Sequence, residues 1–360
     1  MKTRILHIVP NMNMGGLETF IMNVYRNVNR NKIQFDFLEH YQEESAYDKE
    51  IIELGGRIYR FSLRNDNNIF KYIINLNKFF KEHQEYKIIH CHMESIGALI
   101  FFIAKLHGIK VRIGHAHTNS TNKNLKGVIK RIISKPFKYT TTLNLACSDE
   151  AGKYLFKHKK YIVIPNAIDI DKFKRDEKAR KELRKKLKID NEFVIGHVGR
   201  MDKGKNQLFL IDVFNEYLNV NSNAKLVLVG DGEDYNKILN KVNELNISDK
   251  VIFTGVRHDI DKMYSVFDLF VFPSLYEGLG IVLIEAQVNG LRCLVSDTVP
   301  KTTKVSDGIK YLSLKDYSLW VKEIVKNQNK DNDIKYNKLL DDYDINLLVK
   351  KLEKIYRIEG

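Results

Sequence analysis

Short apolar runs alternate with longer amphipathic segments along nearly the whole chain, and this alternation breaks off once and starts again. Ile5 to Val9 is too short for a helix and reads as a buried strand. Behind it Leu17, Phe20, Ile21, Val24, Tyr25 and Val28 recur at helical spacing. Further strands are expected at 35–38, 57–61, 87–91, 110–114, 143–147 and 161–164, with helices at 48–54, 68–83, 95–107 and 149–157. Strands that alternate with helices give a parallel sheet with crossover helices, whose ligands bind at the carboxyl ends of the strands. Residues 171–188 are dense in both charges and read as a solvated helix near a domain junction. The rhythm then restarts, with strands at 193–198, 225–229, 251–253, 269–272 and 292–296 and helices at 206–218, 234–245, 259–266 and 281–289. A last helix, 344–356, carries Leu347, Leu348, Leu352 and Ile355 on one face. The expectation is an α/β chain of two Rossmann-like domains, 1–165 and 166–343, with a C-terminal segment 344–360 packing back toward the first.

A chain of 360 residues, 44% of them hydrophobic, is long enough to bury a core in each half. No apolar run approaches the ~18 residues of a spanning helix, and the start of the chain lacks the pattern of a signal peptide, so a cytoplasmic protein is expected. Cys91, Cys147 and Cys293 are scattered and form no CxxC pair, which suits buried free thiols. The net charge of +14 admits nucleic acid, anionic lipid or phosphorylated substrates without choosing among them.

Four clusters could carry chemistry. In Pro273-Ser-Leu-Tyr-Glu-Gly-Leu-Gly280 a strand runs through a glycine-containing loop into a helix. The amides of Leu279, Gly280 and Ile281 stand at that helix N-terminus and favour an anion. Glu277 lies in the loop, and Glu285 sits inside the helix among Val282, Leu283, Ile284 and Ala286, so its carboxylate needs partners such as ribose or sugar hydroxyls. The second cluster is Gly196-His-Val-Gly-Arg200 with Lys203 and Lys205, where Arg200 can grip a phosphate bidentately and Lys205 adds a point charge. The third is Asn11 to Gly16, whose Gly15-Gly16 pair would let backbone touch a phosphate, although GxGxxG is not met. The fourth is Gly114-His115-Ala116-His117, two histidines at a strand end; taken with Cys91 and His92 they match no metal spacing, and a His lining a ligand cleft is the better reading.

Two Asp-x-Asp patterns, at Asp169 and Asp259, read as helix caps and turns rather than cation sites. Lys123, Lys126, Lys130, Arg131, Lys135 and Lys138 are interleaved with apolar residues and contain no acid between them, a shape suited to an anionic membrane surface or to an ordinary helix.

Together these residues resemble family 4 of the glycosyltransferases, retaining enzymes of bacterial exopolysaccharide and capsule synthesis. The mark is a Glu, seven residues, then a Glu: Glu277 to Glu285. Gly199-Arg200 with Lys205-Asn206, Gly230-Asp231-Gly232, Phe253-Thr-Gly255, Pro165-Asn-Ala-Ile-Asp169 and Gly15-Gly16-x-Glu18 also fit. Ala167 stands where the family more often has Gly. The resemblance implies a GT-B fold, two Rossmann-like domains facing across a cleft, the first binding acceptor and the second binding nucleotide-sugar. It implies that Arg200 and Lys205 neutralise the donor diphosphate, that Glu285 holds the ribose and that Glu277 holds the sugar with the amides of Leu279, Gly280 and Ile281. Asp231 joins the donor site, backbone at Val256 and Arg257 meets the base, Gly15 and Gly16 bring an amide to the phosphate, and His115 reaches the sugar. No metal or other cofactor is expected, because fixed cations and amides stabilise the leaving diphosphate. UDP is the expected nucleotide, and a lipid-diphosphate-linked glycan is the expected acceptor. A nucleotide-sugar epimerase on the same architecture, a glycoside hydrolase using the two glutamates, and a basic nucleic-acid-binding protein are the rivals. No nucleic-acid motif supports the last.

Overall fold

The computed structural model describes residues 2–61, 68–117, 134, 136–328, 330 and 334–359. It divides into two compact units, Met1–Ile168 with Asp344–Gly360, and Asp169–Tyr343. The division falls at Ile168/Asp169 rather than at 165/166, because Ile168 still pairs with Asp344 in the first unit.

The first unit is built on seven parallel strands: β1 (Thr3–Val9), β2 (Ile33–Glu39), β3 (Ile58–Arg60), β4 (Ile88–Cys91), β5 (Val111–Ala116), β6 (Leu143–Ala146) and β7 (Ile162–Val163). Their order in the sheet is β3-β2-β1-β4-β5-β6-β7. The second has six: β8 (Phe193–Val198), β9 (Ala224–Val229), β10 (Val251–Phe253), β11 (Leu269–Phe272), β12 (Arg292–Ser296) and β13 (Ile309–Leu312), in the order β10-β9-β8-β11-β12-β13. Both sheets run outward from their first strand, jump back over it and run outward on the other side. The crevice between the first and fourth strands is where doubly wound sheets bind ligands: β1/β4 in one unit, β8/β11 in the other.

Alternation along each strand sorts side chains to the two faces. In the first unit Ile5, Val9, Ile88 and Ile113 face a core shared with helix Gly16–Asn27 and the last helix, Ile345–Glu359. Leu6, Ile8, Ile89, Cys91 and Ala116 face the other core. Ile345, Leu348, Val349, Leu352 and Tyr356 of the last helix are all buried in the first unit's core. The helical stripe expected on Leu347 is turned: Leu347 is 44% exposed, and Val349 takes the inward position.

The charged stretch 171–188 forms two helices, Ile170–Phe173 and Glu177–Lys186, the second capped by Asp176 Oδ1 accepting from Ala179 N at 2.9 Å. It is less solvated than its composition suggests. Arg180 and Arg184 both reach Asp268, at 2.5 and 3.0 Å, and tie the helix to the second sheet. The alternation expected from sequence ended at 296, but the chain adds β13 and helix Tyr317–Asn327. Trp320 of that helix is fully buried, edge-on to Phe209 at 5.5 Å. Cys91 and Cys293 are buried free thiols and Cys147 is half-buried, pushed up to about 11 by burial.

Candidate active site

In the second unit the loops after β8 and β11 are stitched together at the switch point. Asn206 Nδ2 donates to Pro273 O at 3.1 Å, and Leu275 N donates to Gly204 O at 2.8 Å. Asn206 itself adopts the left-handed conformation (φ 59°) that starts helix Gln207–Leu218. This frame brings Lys205 Nζ onto Glu277 Oε1, which also accepts from Ser274 Oγ at 2.7 Å. The ammonium lies 5.2 Å from the Phe272 ring centroid, and the Glu277 side chain is 9% exposed. The two residues assigned separately from sequence therefore form one ion pair across 72 positions of chain. Such a pair holds the ammonium in place; a buried carboxylate without that partner would be costly.

Helix Ile281–Val288 begins immediately behind Glu277. Its N-cap, Gly280, has φ 79°, where a side chain would be strained, and no side chain caps the turn. Leu283 N already donates to Gly280 O at 2.9 Å; the amides ahead of it, at Ile281 and Val282, have no carbonyl one turn back in the helix and can meet an anion. The loops after β8 and β9 also touch closely. A Cβ on Gly230 (φ 130°) would stand 2.1 Å from Gly199 O, and Met201 N donates to Asp231 O at 2.9 Å. Asp231 Oδ1 accepts from Gly232 N at 2.7 Å. The Arg200 side chain is 69% exposed, with Asp202 4.0 Å away, and is free to swing onto a ligand.

Glu285 is half-buried four residues into the helix. Burial pushes its carboxyl up to about 7, and Tyr264 Oη donates to its Oε2 at 2.6 Å. Tyr264 is a site residue the sequence reading missed; a tyrosine 21 positions upstream leaves no local signal. Val256 is 64% exposed, and the Arg257 guanidinium is held bidentately by Asp259 at 2.8 and 2.6 Å, leaving the backbone there as the free element. Asp259 thus binds Arg257 instead of capping its helix, whereas Asp169 does cap, accepting from Lys172 N at 3.2 Å.

In the first unit Gly15 is the N-cap of helix Gly16–Asn27, and a Cβ on Gly16 would meet nothing within 4 Å. Neither crowding nor a positive φ requires glycine at 16; its carbonyl accepts from Asn166 Nδ2 at 3.5 Å, and the space over its Cα is open. The two histidines after β5 differ. His115, expected from sequence to reach the sugar, is fully buried, with Nδ1 3.1 Å from His90 Nε2 and Nε2 without a hydrogen-bond partner. His117, two residues further and past the strand end, is half-buried and is the member of the pair with access. Cys91 points to the opposite face of the sheet from His90 and His92, which removes it from the histidine group.

Two doubly wound parallel sheets in one chain, the second carrying a cation, a carboxylate and a helix N-terminus at its switch point, define a two-domain transferase of the GT-B class. Residues 14–172 match the model of Glycosyltransferase Family 4, and residues 179–340 match that of Glycosyl transferases group 1. The chain is 34% identical to the putative glycosyltransferase EpsF of Bacillus subtilis over 90% of this chain and 87% of that one. It is 31% identical to the UDP-Gal:alpha-D-GlcNAc-diphosphoundecaprenol alpha-1,3-galactosyltransferase of Escherichia coli over 63% and 62%. The crystal structure of HepE from Anabaena in complex with UDP and glucose superposes with a TM-score of 0.79 over 99% of this chain and all of that one, at 17% identity. The protein belongs to family 4 of the glycosyltransferases, the group 1 glycosyl transferases.

Proposed function

We propose that the protein transfers a hexose or N-acetylhexosamine from a UDP-sugar to a lipid-diphosphate-linked glycan, with retention at the anomeric carbon and without a metal, in exopolysaccharide or capsule synthesis. The observation that carries this is the Lys205–Glu277 pair set against the N-terminus of helix Ile281–Val288. A leaving diphosphate gains negative charge as the glycosidic bond breaks, and a preorganised ammonium with fixed amides is strongest where that charge develops. Arg200 closes on the same diphosphate. Glu277, with the amides of Leu279 to Ile281, holds the sugar. Glu285 accepts from the ribose hydroxyls beside Tyr264, backbone at Val256 and Arg257 receives the base, and Asp231 lines the loop edge. The first unit has candidate contacts of its own, the Gly15-Gly16 amide and His117, the more exposed of the two histidines after β5. With these cations in place no divalent ion is required to neutralise the leaving group. The acceptor attacks from the leaving-group side, and the diphosphate takes its proton, which gives retention.

The Escherichia coli relative's name includes UDP-Gal and a diphosphoundecaprenol-linked acceptor, and the Anabaena complex contains UDP; both support the donor and acceptor proposed here. Among the described residues no helix is long and apolar enough to cross a membrane. A cytoplasmic enzyme meeting a lipid-linked acceptor would sit peripherally on the inner membrane face. The basic segment suited to that role spans 123–138; most of it lies outside the described residues, and Phe137 and Lys138 fall in the short helix Phe137–Thr140.

The test is calorimetric titration with UDP and GDP, with and without magnesium. UDP is expected to bind equally well in both conditions and to lose at least about tenfold in affinity in Lys205→Ala, an ion-pair-scale loss. Magnesium-dependent binding, or Lys205→Ala binding like wild type, would remove the donor-site assignment.

A further inference from the structure

Five imidazoles, those of His7, His90, His92, His115 and His117, stand together where β1, β4 and β5 end. Two hydrogen-bonded threads run through them. One links His117 Nε2 to His92 Nδ1 at 2.8 Å and His92 Nε2 to His7 Nδ1 at 3.1 Å. The other links His115 Nδ1 to His90 Nε2 at 3.1 Å and His90 Nδ1 to Tyr356 Oη at 2.8 Å. Ring nitrogens of His92, His115 and His117 lie within 4.8 Å of one another, as do those of His7, His90 and His92, which raises a divalent cation as an occupant. The spacing argues for protons instead. Two imidazole nitrogens on one tetrahedral zinc, each ~2.0–2.1 Å from it, stand about 3.3 Å apart. A 2.8 Å separation is that of a hydrogen bond.

A neutral imidazole has one ring proton. Burial keeps these rings neutral, with His7 and His117 both lowered to about 3 and His92 well below the usual value. The thread from His117 to His7 can then be filled in two ways. Either every ring is protonated at Nδ1 and donates toward His117, or every ring is protonated at Nε2 and donates toward His7. The second filling leaves an N–H at His7 Nε2, a buried atom with no hydrogen-bond partner. Besides His90 and His92, whose ring nitrogens are engaged in the two threads, the rings packed on His7 are Phe35 at 4.2 Å and Phe37 at 5.7 Å, which offer no lone pair. The first filling leaves only a bare acceptor there. Orphaned buried N–H groups are rarer than under-satisfied acceptors, so the first is favoured. The groups facing the thread are His90 and His115 on the neighbouring strands, Tyr356 from the last helix and Phe20 from helix Gly16–Asn27.

We propose that His92 and His7 are positioning residues that hold His117 in the Nδ1–H tautomer, so that it meets the substrate as a neutral hydrogen-bond donor. The proposal rests on the transferase reading for the substrate contact, but the tautomer is a property of the protein alone.

The experiment is a long-range proton–nitrogen correlation spectrum of the full chain labelled with ¹⁵N-histidine, assigned with single His variants. His117, His92 and His7 are expected to carry the proton on Nδ1; an Nε2 proton on His117 overturns the proposal, and this readout needs neither substrate nor activity. His92→Phe keeps a ring but removes both nitrogens. It should free His117 to exchange tautomers and lower kcat by about tenfold or more, with KM for the UDP-sugar unchanged. His92→Asn, whose amide N–H can take the Nδ1 position, should recover most of the loss. Equal turnover in wild type and His92→Phe would also overturn it. So would one-to-one cobalt(II) binding with a visible absorption band that vanishes in His117→Ala, since the lone pairs would then belong to a metal. If His92→Phe fails to fold, the wild-type spectrum decides alone.

Discussion

Over their first six strands the two units share one strand order, and they differ in what their switch points carry. At β8/β11 the strand ends lead into loops with a lysine, a glutamate and a helix N-terminus, groups that meet charge. At β1/β4, with β5 alongside, they lead into a glycine turn and stacked neutral imidazoles, groups that exchange hydrogen bonds. The shared order around the switch point delivers residues to the same place in each sheet, and the residues at the strand ends decide the chemistry.

The strongest challenge to treating the units separately is Leu352→Ala. Leu352 is 1% exposed in the first unit's core, although it follows the second unit in sequence. The variant should lose about 2–5 kcal/mol from the first unit. Trp320, the chain's one tryptophan, is buried in the second unit and reports on that unit by fluorescence, while circular dichroism reports on both. A urea melt in which circular dichroism shifts and fluorescence does not would confirm independent units. Coincident shifts would show a single cooperative block and break the comparison.

A smaller effect separates two glutamates. Glu285 in the second unit and Glu39 in the first are each raised to about 7, mainly by burial, with the Asp48 carboxylate adding to the effect at Glu39. A raised carboxyl binds its proton more tightly in the folded state, so wild-type stability falls as pH rises from about 4.5 toward 7. Both Glu285→Gln and Glu39→Gln should flatten that slope, by on the order of 1–2 kcal/mol each. Only Glu285→Gln should also change nucleotide binding. Wild-type UDP affinity should weaken as pH drops below 7, because ribose hydroxyls favour the ionised carboxylate, and the variant should lose that dependence. Equal effects of both variants on UDP titrations would dissolve the distinction.

The finest test uses Gly16→Ala. The space around the missing Cβ is open, so stability should stay within about 0.5 kcal/mol of wild type. Turnover should fall if a substrate approaches that backbone. Unchanged turnover would leave the first unit's glycine turn without a ligand role and narrow the comparison to the histidines.

Fold class was legible in the chain because hydrophobic period is local: the switch from β-like runs to helical spacing at Leu17 to Val28 needs no knowledge of distant residues. Loop motifs such as 273–280 were legible for the same reason, since glycine and helix-start chemistry act over a few positions. What the sequence determined by itself was therefore two doubly wound sheets and the strand ends that matter. Tertiary structure alone decided the rest, because each remaining decision joins residues far apart in the chain. The Glu277 carboxylate acquires Lys205 only when two loops are stitched together, and Glu285 acquires Tyr264 only once their helices pack. Of the two histidines after β5, the pattern His-x-His gives both the same face of the strand. Packing beside His90 buries His115 fully, and a position past the strand end leaves His117 half-buried.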